Sequence, residues 1–167
     1  MASTYAFQNQ LTKGERAEGV LDAFLASDHE ITPVSLAEQR RGIDRVFVRR
    51  TTGRRFTVQY KADWTAHRTG NAFIETVSVD TNNVPGWALT SQADWLIYYL
   101  PRDRHAYAIR MAVIRDKVVE WSATYPTTAV QNMDYHTHGV LVPLQELALL
   151  CDGKQGRRIS GMPLLME

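Results

Sequence analysis

A mixed α/β domain of the α+β kind, with a central β-sheet flanked by helices, is the fold class this sequence predicts. Three observations predict it. Apolar residues recur at three- and four-residue intervals near the N-terminus, after residue 110 and after Pro143. Between those stretches lie runs that alternate apolar with polar residues or are apolar throughout, bounded by Gly, Pro and Asn. Helices and strands thus interleave along one chain, the pattern of a sheet covered by helices. The third observation is size: 167 residues, 44% hydrophobic and 22% charged, suit one globular domain that buries a core without disulfides. A single domain over residues 1–167 is expected, ending in a basic tail at about 153–167.

The elements follow in order. Residues 12–26, TKGERAEGVLDAFLA, predict a helix: Ala17, Val20, Leu21, Phe24 and Leu25 share a face, and Thr12 with Glu15 makes a capping-box start. A short strand or loop over 31–34 leads through a polar connection to Arg40, Arg41 and Gly42. Residues 44–50 alternate, 51–55 hold the glycine of a turn and 56–62 alternate again, so a β-hairpin is expected. After the polar loop DWTAHRTGN, the β-branched and aromatic residues of FIETVSV (73–79) predict a third strand, and TNNVPGW is turn material. ADWLIYYLP reads as a buried strand ended by Pro101, and AYAIR as the next. Residues 111–123 switch to helical spacing through Met111, Ile114, Val118 and Trp121, and a last strand is expected near 139–142. Pro143 opens the short helix PLQELALLC, at a position where its missing N–H costs nothing.

Composition narrows the function. Cys151 is the single cysteine and cannot bridge internally, and no Cys/His spacing matches a zinc finger or ribbon. No run approaches the roughly 18 apolar residues of a membrane span. The first ten residues lack the basic-then-apolar order of a signal peptide. The expectation is a cytoplasmic protein without membrane contact. A net charge of +1 speaks against an overall polyanion-binding surface but leaves room for a local patch. Arginines pair at Arg40 and Arg41, Arg49 and Arg50, Arg54 and Arg55, and Arg157 and Arg158, and three of those pairs surround the hairpin.

That hairpin, GIDRVFVRRTTGRRFTVQYKAD (42–63), carries the chemistry. With the turn near Thr52 and Gly53, pairing brings Gln59 to Lys61 across from residues 44–46, and Gln59 and Lys61 project from one face. An acid, an oxygen donor and a lysine at one place suit phosphodiester hydrolysis. A hard cation such as Mg²⁺ (or Mn²⁺) takes oxygen ligands and keeps positions open for water. It stabilises charge on the scissile phosphate and activates the attacking water, and a lysine orients that water or offsets the developing charge.

On these residues the chain resembles the PD-(D/E)XK nuclease superfamily. Asp44 matches the aspartate of its motif, Gln59-Tyr60-Lys61 the second half, and Lys13-Gly14-Glu15-Arg16-Ala17-Glu18 is similar to the first-helix K-G-x-x-A-E of Holliday-junction resolvases. The Gln form of the triplet resembles Mrr-type endonucleases and related phage or prophage enzymes. The likeness spans residues 12–100 or so and implies a restriction-endonuclease-like mixed sheet flanked by helices. It also implies a Mg-dependent endonuclease in which Asp44, Gln59 and Glu75 hold the metal, Lys61 positions water and Glu18 is an outer ligand. Ile43 stands where many members have proline. Gln59 replaces the commoner glutamate, which removes a negative charge that Glu75, on the following strand, can restore. Arg40, Arg41, His67 and Arg68 would bind phosphates, of DNA ahead of RNA, and Trp64 would stack on a base. A homodimer would cut both strands.

Each residue also has an ordinary structural reading: a strand-start aspartate for Asp44, an edge lysine for Lys61, a solvated helix glutamate for Glu18, surface basicity for the arginines. The alternative function is an inactive nuclease fold that binds nucleic acid or a protein partner, motivated by the neutral Gln59. A third is a metalloenzyme on Asp134, His136 and His138, whose D-x-H-x-H spacing more commonly marks a polar loop. Cys151 reads as core, and Ser91 and Asp94 as turn or capping residues.

Overall fold

The computed structural model describes residues 2–132 and 134–165, with residues 2–11 described by their backbone. The chain opens with α1 (Ala2–Leu25) and β1 (His29–Pro33), passes one helical turn, α2 (Leu36–Gln39), and forms the hairpin from β2 (Arg45–Arg49) and β3 (Arg55–Ala62). A further turn, α3 (Ala66–Thr69), precedes β4 (Asn71–Val79), a 3-10 turn (Asp80–Asn82), β5 (Val84–Pro85) and α4 (Trp87–Thr90). Then come β6 (Trp95–Leu100), β7 (His105–Arg110), α5 (Met111–Thr124), β8 (Thr127–Gln131), β9 (His136–Pro143), α6 (Leu144–Asp152) and β10 (Gly156–Ser160).

These strands make a mixed six-stranded sheet, β1-β2-β3-β6-β7-β10, and an antiparallel four-stranded one, β5-β4-β9-β8. Within the larger sheet β3 and β6 run parallel, Val58 beside Trp95, and the other neighbours are antiparallel. A parallel pair needs a long crossover, and α3, β4, β5 and α4 supply it while starting the second sheet. One face of the large sheet (Phe47, Val58, Tyr60, Ile97, Tyr99) packs on Ala17 and Leu21 of α1 and on Met162. The other face (Leu96, Tyr98, Leu100, Ile109) packs on Ile74 and Val140 of the second sheet and on α5 and α6. Each fully buried Leu, Ile or Val is worth about 2 kcal/mol.

A mixed α+β molecule with helices flanking the sheets is therefore what the pattern of elements builds. Several expectations change. The first helix begins ten residues before Thr12, because residues 2–11 contain no Gly or Pro to stop propagation once a helix has nucleated. The single central sheet is two: β4 pairs with β9 and β5, not with β3. Alternation reports that a segment is a strand but not which strand it joins. The basic tail contains β10, which pairs with β7 from Gly156 opposite Ile109 to Ser160 opposite His105. The approach is close enough that a Cβ at Gly156 would lie 2.6 Å from the Ala108 carbonyl oxygen. β8 was not expected either, since four of its five residues are exposed and no apolar alternation marks it. The polar connection before the hairpin holds α2, capped reciprocally by Ser35 and Glu38.

Candidate active site

β3 is the spine of the site. Val58 and Tyr60 face α1, so Gln59 and Lys61 point the other way, toward the second sheet. Asp44 lies one residue before β2. Its N–H donates to the Val58 carbonyl at 2.9 Å, and its Oδ2 accepts the Tyr60 N–H at 2.7 Å, so a side-chain carboxylate closes the end of the β2–β3 ladder. Burial pushes the Asp44 carboxyl above its ordinary pKa, and the Tyr60 N–H, Lys61 and Arg45 pull against that rise.

Gln59 is 5% exposed, and its Oε1 has no hydrogen-bond partner among the described residues. A buried amide oxygen left bare costs about 1–3 kcal/mol. Lys61 is half-buried with Nζ 5.7 Å from the centre of the Trp87 ring. Glu75 reaches the same place from β4: its Oε1 accepts the Trp87 N–H at 3.3 Å. Gly86 lets these segments meet, because a Cβ there would stand 2.4 Å from the Glu75 carbonyl oxygen. Although β4 does not pair with β3, packing of the two sheets delivers Glu75 to the cleft. Tyr98 locks that packing: its hydroxyl donates to Asp63 Oδ2 at 2.6 Å and accepts the Phe73 N–H at 2.9 Å.

Lys61, Glu75 and Glu18 line one cleft of about 600 Å³ together with Tyr60 and Trp64. Asp44 stands beside it, close enough for its charge to bear on both Lys61 and Glu18. Glu18 is not free in the cleft. Arg45, which sequence reasoning passed over, donates from Nη2 to Glu18 Oε2 and from Nε to Asp22 Oδ2, each at 2.9 Å. The Tyr60 hydroxyl also donates to Asp22. Burial raises the Glu18 pKa, Arg45 opposes the rise and Asp44 adds to it. An arginine directly after Asp44 was the available signal, since alternation turns it toward α1. Trp87, under the lysine, had no signal in sequence.

The predicted phosphate ligands lie on the surface. Arg40 caps α2, and Arg41 donates from Nε to Gln92 at 2.7 Å. His67 and Arg68 are exposed on α3, a turn started by Asp63, whose Oδ1 accepts the Thr65 and Ala66 N–H groups. Trp64 lines the cleft with Lys13 Nζ 5.8 Å from its ring.

The alternative cluster is rearranged. Asp134 is exposed, and Asp80 takes the place predicted for it: Oδ1 accepts the His136 N–H at 2.9 Å, and Oδ2 lies 3.2 Å from His136 Nδ1 and 3.4 Å from His138 Nε2. Among the described residues no group of three or more His, Cys, Asp or Glu is placed to hold a metal ion. Of the expected Asp44, Gln59 and Glu75 set, two carboxylates and an amide, Glu75 alone lines the cleft. Ser91 and Asp94 serve the backbone, Ser91 donating to the Gly42 carbonyl and Asp94 accepting the Thr57 N–H. Burial pushes the Cys151 thiol up to about 11, in keeping with a core residue.

No protein-family model and no curated protein matches the chain. Among solved structures it is similar to a bacterial homing endonuclease, I-Ssp6803I, at 18% identity and a TM-score of 0.48, over 86% of this chain and 95% of that one. No helix among the described residues is long and apolar enough to cross a membrane.

Proposed function

We propose that this chain is a Mg²⁺- or Mn²⁺-dependent endonuclease of the PD-(D/E)XK kind in its Q-x-K form, acting on DNA. The observation that carries the reading is the bare Oε1 of Gln59, buried on the same strand face as Lys61 and one residue before Tyr60, whose N–H the Asp44 carboxylate accepts. A buried carbonyl oxygen with no donor fits a cation, and two carboxylates with an amide match the oxygen preference of a hard cation that retains water. Asp44, Gln59 and Glu75 would hold it. A cation bound there would supply charge stabilisation at the phosphate and a more acidic water.

The chain's own groups do the rest. Lys61, held over Trp87, orients the attacking water and offsets charge on the phosphoryl oxygens. Glu18, paired with Arg45, acts from the outer edge of the cleft. Arg40, Arg41, His67 and Arg68 position the phosphate backbone, and two copies would be needed to cut both strands.

The test is cleavage of duplex DNA with Mg²⁺ or Mn²⁺. Asp44→Ala and Lys61→Ala, folded by circular dichroism, are expected to lose roughly a hundredfold or more in rate. Parental cleavage by both variants would sink the assignment. One observation favours a second reading, an inert nuclease fold that binds nucleic acid: Glu18 is already committed to Arg45. That reading predicts salt-dependent binding without cation-dependent cleavage.

A further inference from the structure

The face of the large sheet that carries α1 is covered only in part. Past Phe24 and Leu25, near the end of that helix, lies a cavity of about 620 Å³ that shares no residue with the candidate active-site cleft. His29 of β1 and Arg157 of β10 both line it, although those strands lie at opposite ends of the sheet order. The sheet is therefore curled, and the cavity is its concave side. Phe47, Phe56, Val58, Trp95 and Ile97 form an apolar floor. Arg49, Arg54 and Arg157, all exposed, stand among its walls, where Asp28 is the single acid among the described residues.

One polar side chain interrupts that floor. His29 is 9% exposed, with its ring 5.1 Å from Phe47 and 5.7 Å from Phe56. Its Nδ1 lies 3.3 Å from the Leu25 carbonyl oxygen, which can only accept, so Nδ1 carries the proton. Burial holds the His29 pKa below its ordinary value, which favours the neutral ring, whose Nε2 keeps its lone pair. That Nε2 is buried with no partner among the described residues.

We propose that this cavity is a binding site for a small aromatic anion: a flat apolar ring system on the floor beside the His29 ring, and an acidic group for Arg49, Arg54 and Arg157. The volume suits one small molecule, and an apolar cavity with a few convergent polar groups is the usual form of such a site. A second copy of the chain is a poor occupant, since a twofold contact would set the same arginines against each other. A duplex backbone offers phosphates but nothing to fill the floor.

Two fluorescent probes on the intact protein test this: anilinonaphthalene sulfonate, which has rings, an N–H and a negative charge, and N-phenylnaphthylamine, which lacks only the charge. The sulfonate should bind saturably, one per chain, about tenfold more tightly than its neutral analogue. The surface double variant Arg49→Glu/Arg157→Glu should erase that advantage and leave DNA cleavage unchanged. Ala108→Trp, which fills the floor, should abolish binding of both probes. Displacement of the sulfonate by a nucleoside monophosphate would assign the ligand to nucleotides, and displacement by hydroxybenzoate to aromatic acids. Equal affinity for the two probes, undiminished binding in the double variant, displacement by neither competitor, or a dimer in sedimentation that Ala108→Trp dissociates would each overturn it.

Discussion

A carboxylate largely removed from water, whose burial outweighs the help of the Tyr60 N–H and of the Lys61 and Arg45 charges, is costly as an anion, and this is the position of Asp44. Its pKa is raised on folding, so between the unfolded value near 3.8 and the raised folded value the native state holds the proton that the unfolded chain has released. Stability from this group therefore falls as pH rises through that window. Asp44→Asn, whose amide oxygen can still accept the Tyr60 N–H, should unfold at higher urea concentration than the parent at pH 7, with a shallower decline from pH 4 to 7. An equal or lower midpoint at pH 7 would contradict this. Mg²⁺ should raise the thermal midpoint of the parent and not of the variant. Gln59→Glu restores the commoner carboxylate and should tighten cation binding, read by calorimetry; weaker binding would remove Gln59 from the ligand set.

At the scale of elements, the hairpin and β6 were legible because burial on one or both faces writes itself into alternation and apolar runs. β8 and β10 were not: an edge strand facing solvent needs no apolar pattern, and its backbone pairing leaves no mark on side-chain identity. The same distinction divides the site. Asp44, Gln59 and Lys61 come from one local hairpin and could be read from spacing. Glu75, singled out by its charge in an apolar strand, reaches the cleft by sheet-on-sheet packing, since β4 pairs with β9 and not with β3. Arg45 on Glu18 and Trp87 under Lys61 are products of tertiary structure alone. The joint between sheets gives a prediction of its own. Tyr98→Phe removes the donor to Asp63 and the acceptor for the Phe73 N–H in a buried place, and should cost about 2 kcal/mol in urea unfolding. A change within error would show that the bridge does not hold the sheets together.

For the whole molecule, a net charge of +1 makes no general polyanion surface, so any hold on DNA depends on where the arginines stand. Binding should weaken steeply with salt, and Arg41→Ala or Arg68→Ala should lower the slope of log affinity against log salt by about one each. An unchanged slope would place the backbone elsewhere. The two concave sites, one with carboxylates and a lysine, the other with aromatic rings and arginines, share no lining residue, so changes at one should leave the other intact. The most direct test of the cation seat is Mn²⁺ binding by titration calorimetry or electron paramagnetic resonance. The parent and Lys61→Ala should bind at the same site with similar affinity, while Asp44→Asn should lose it. Binding that survives in Asp44→Asn, or is absent from the parent, would contradict the account.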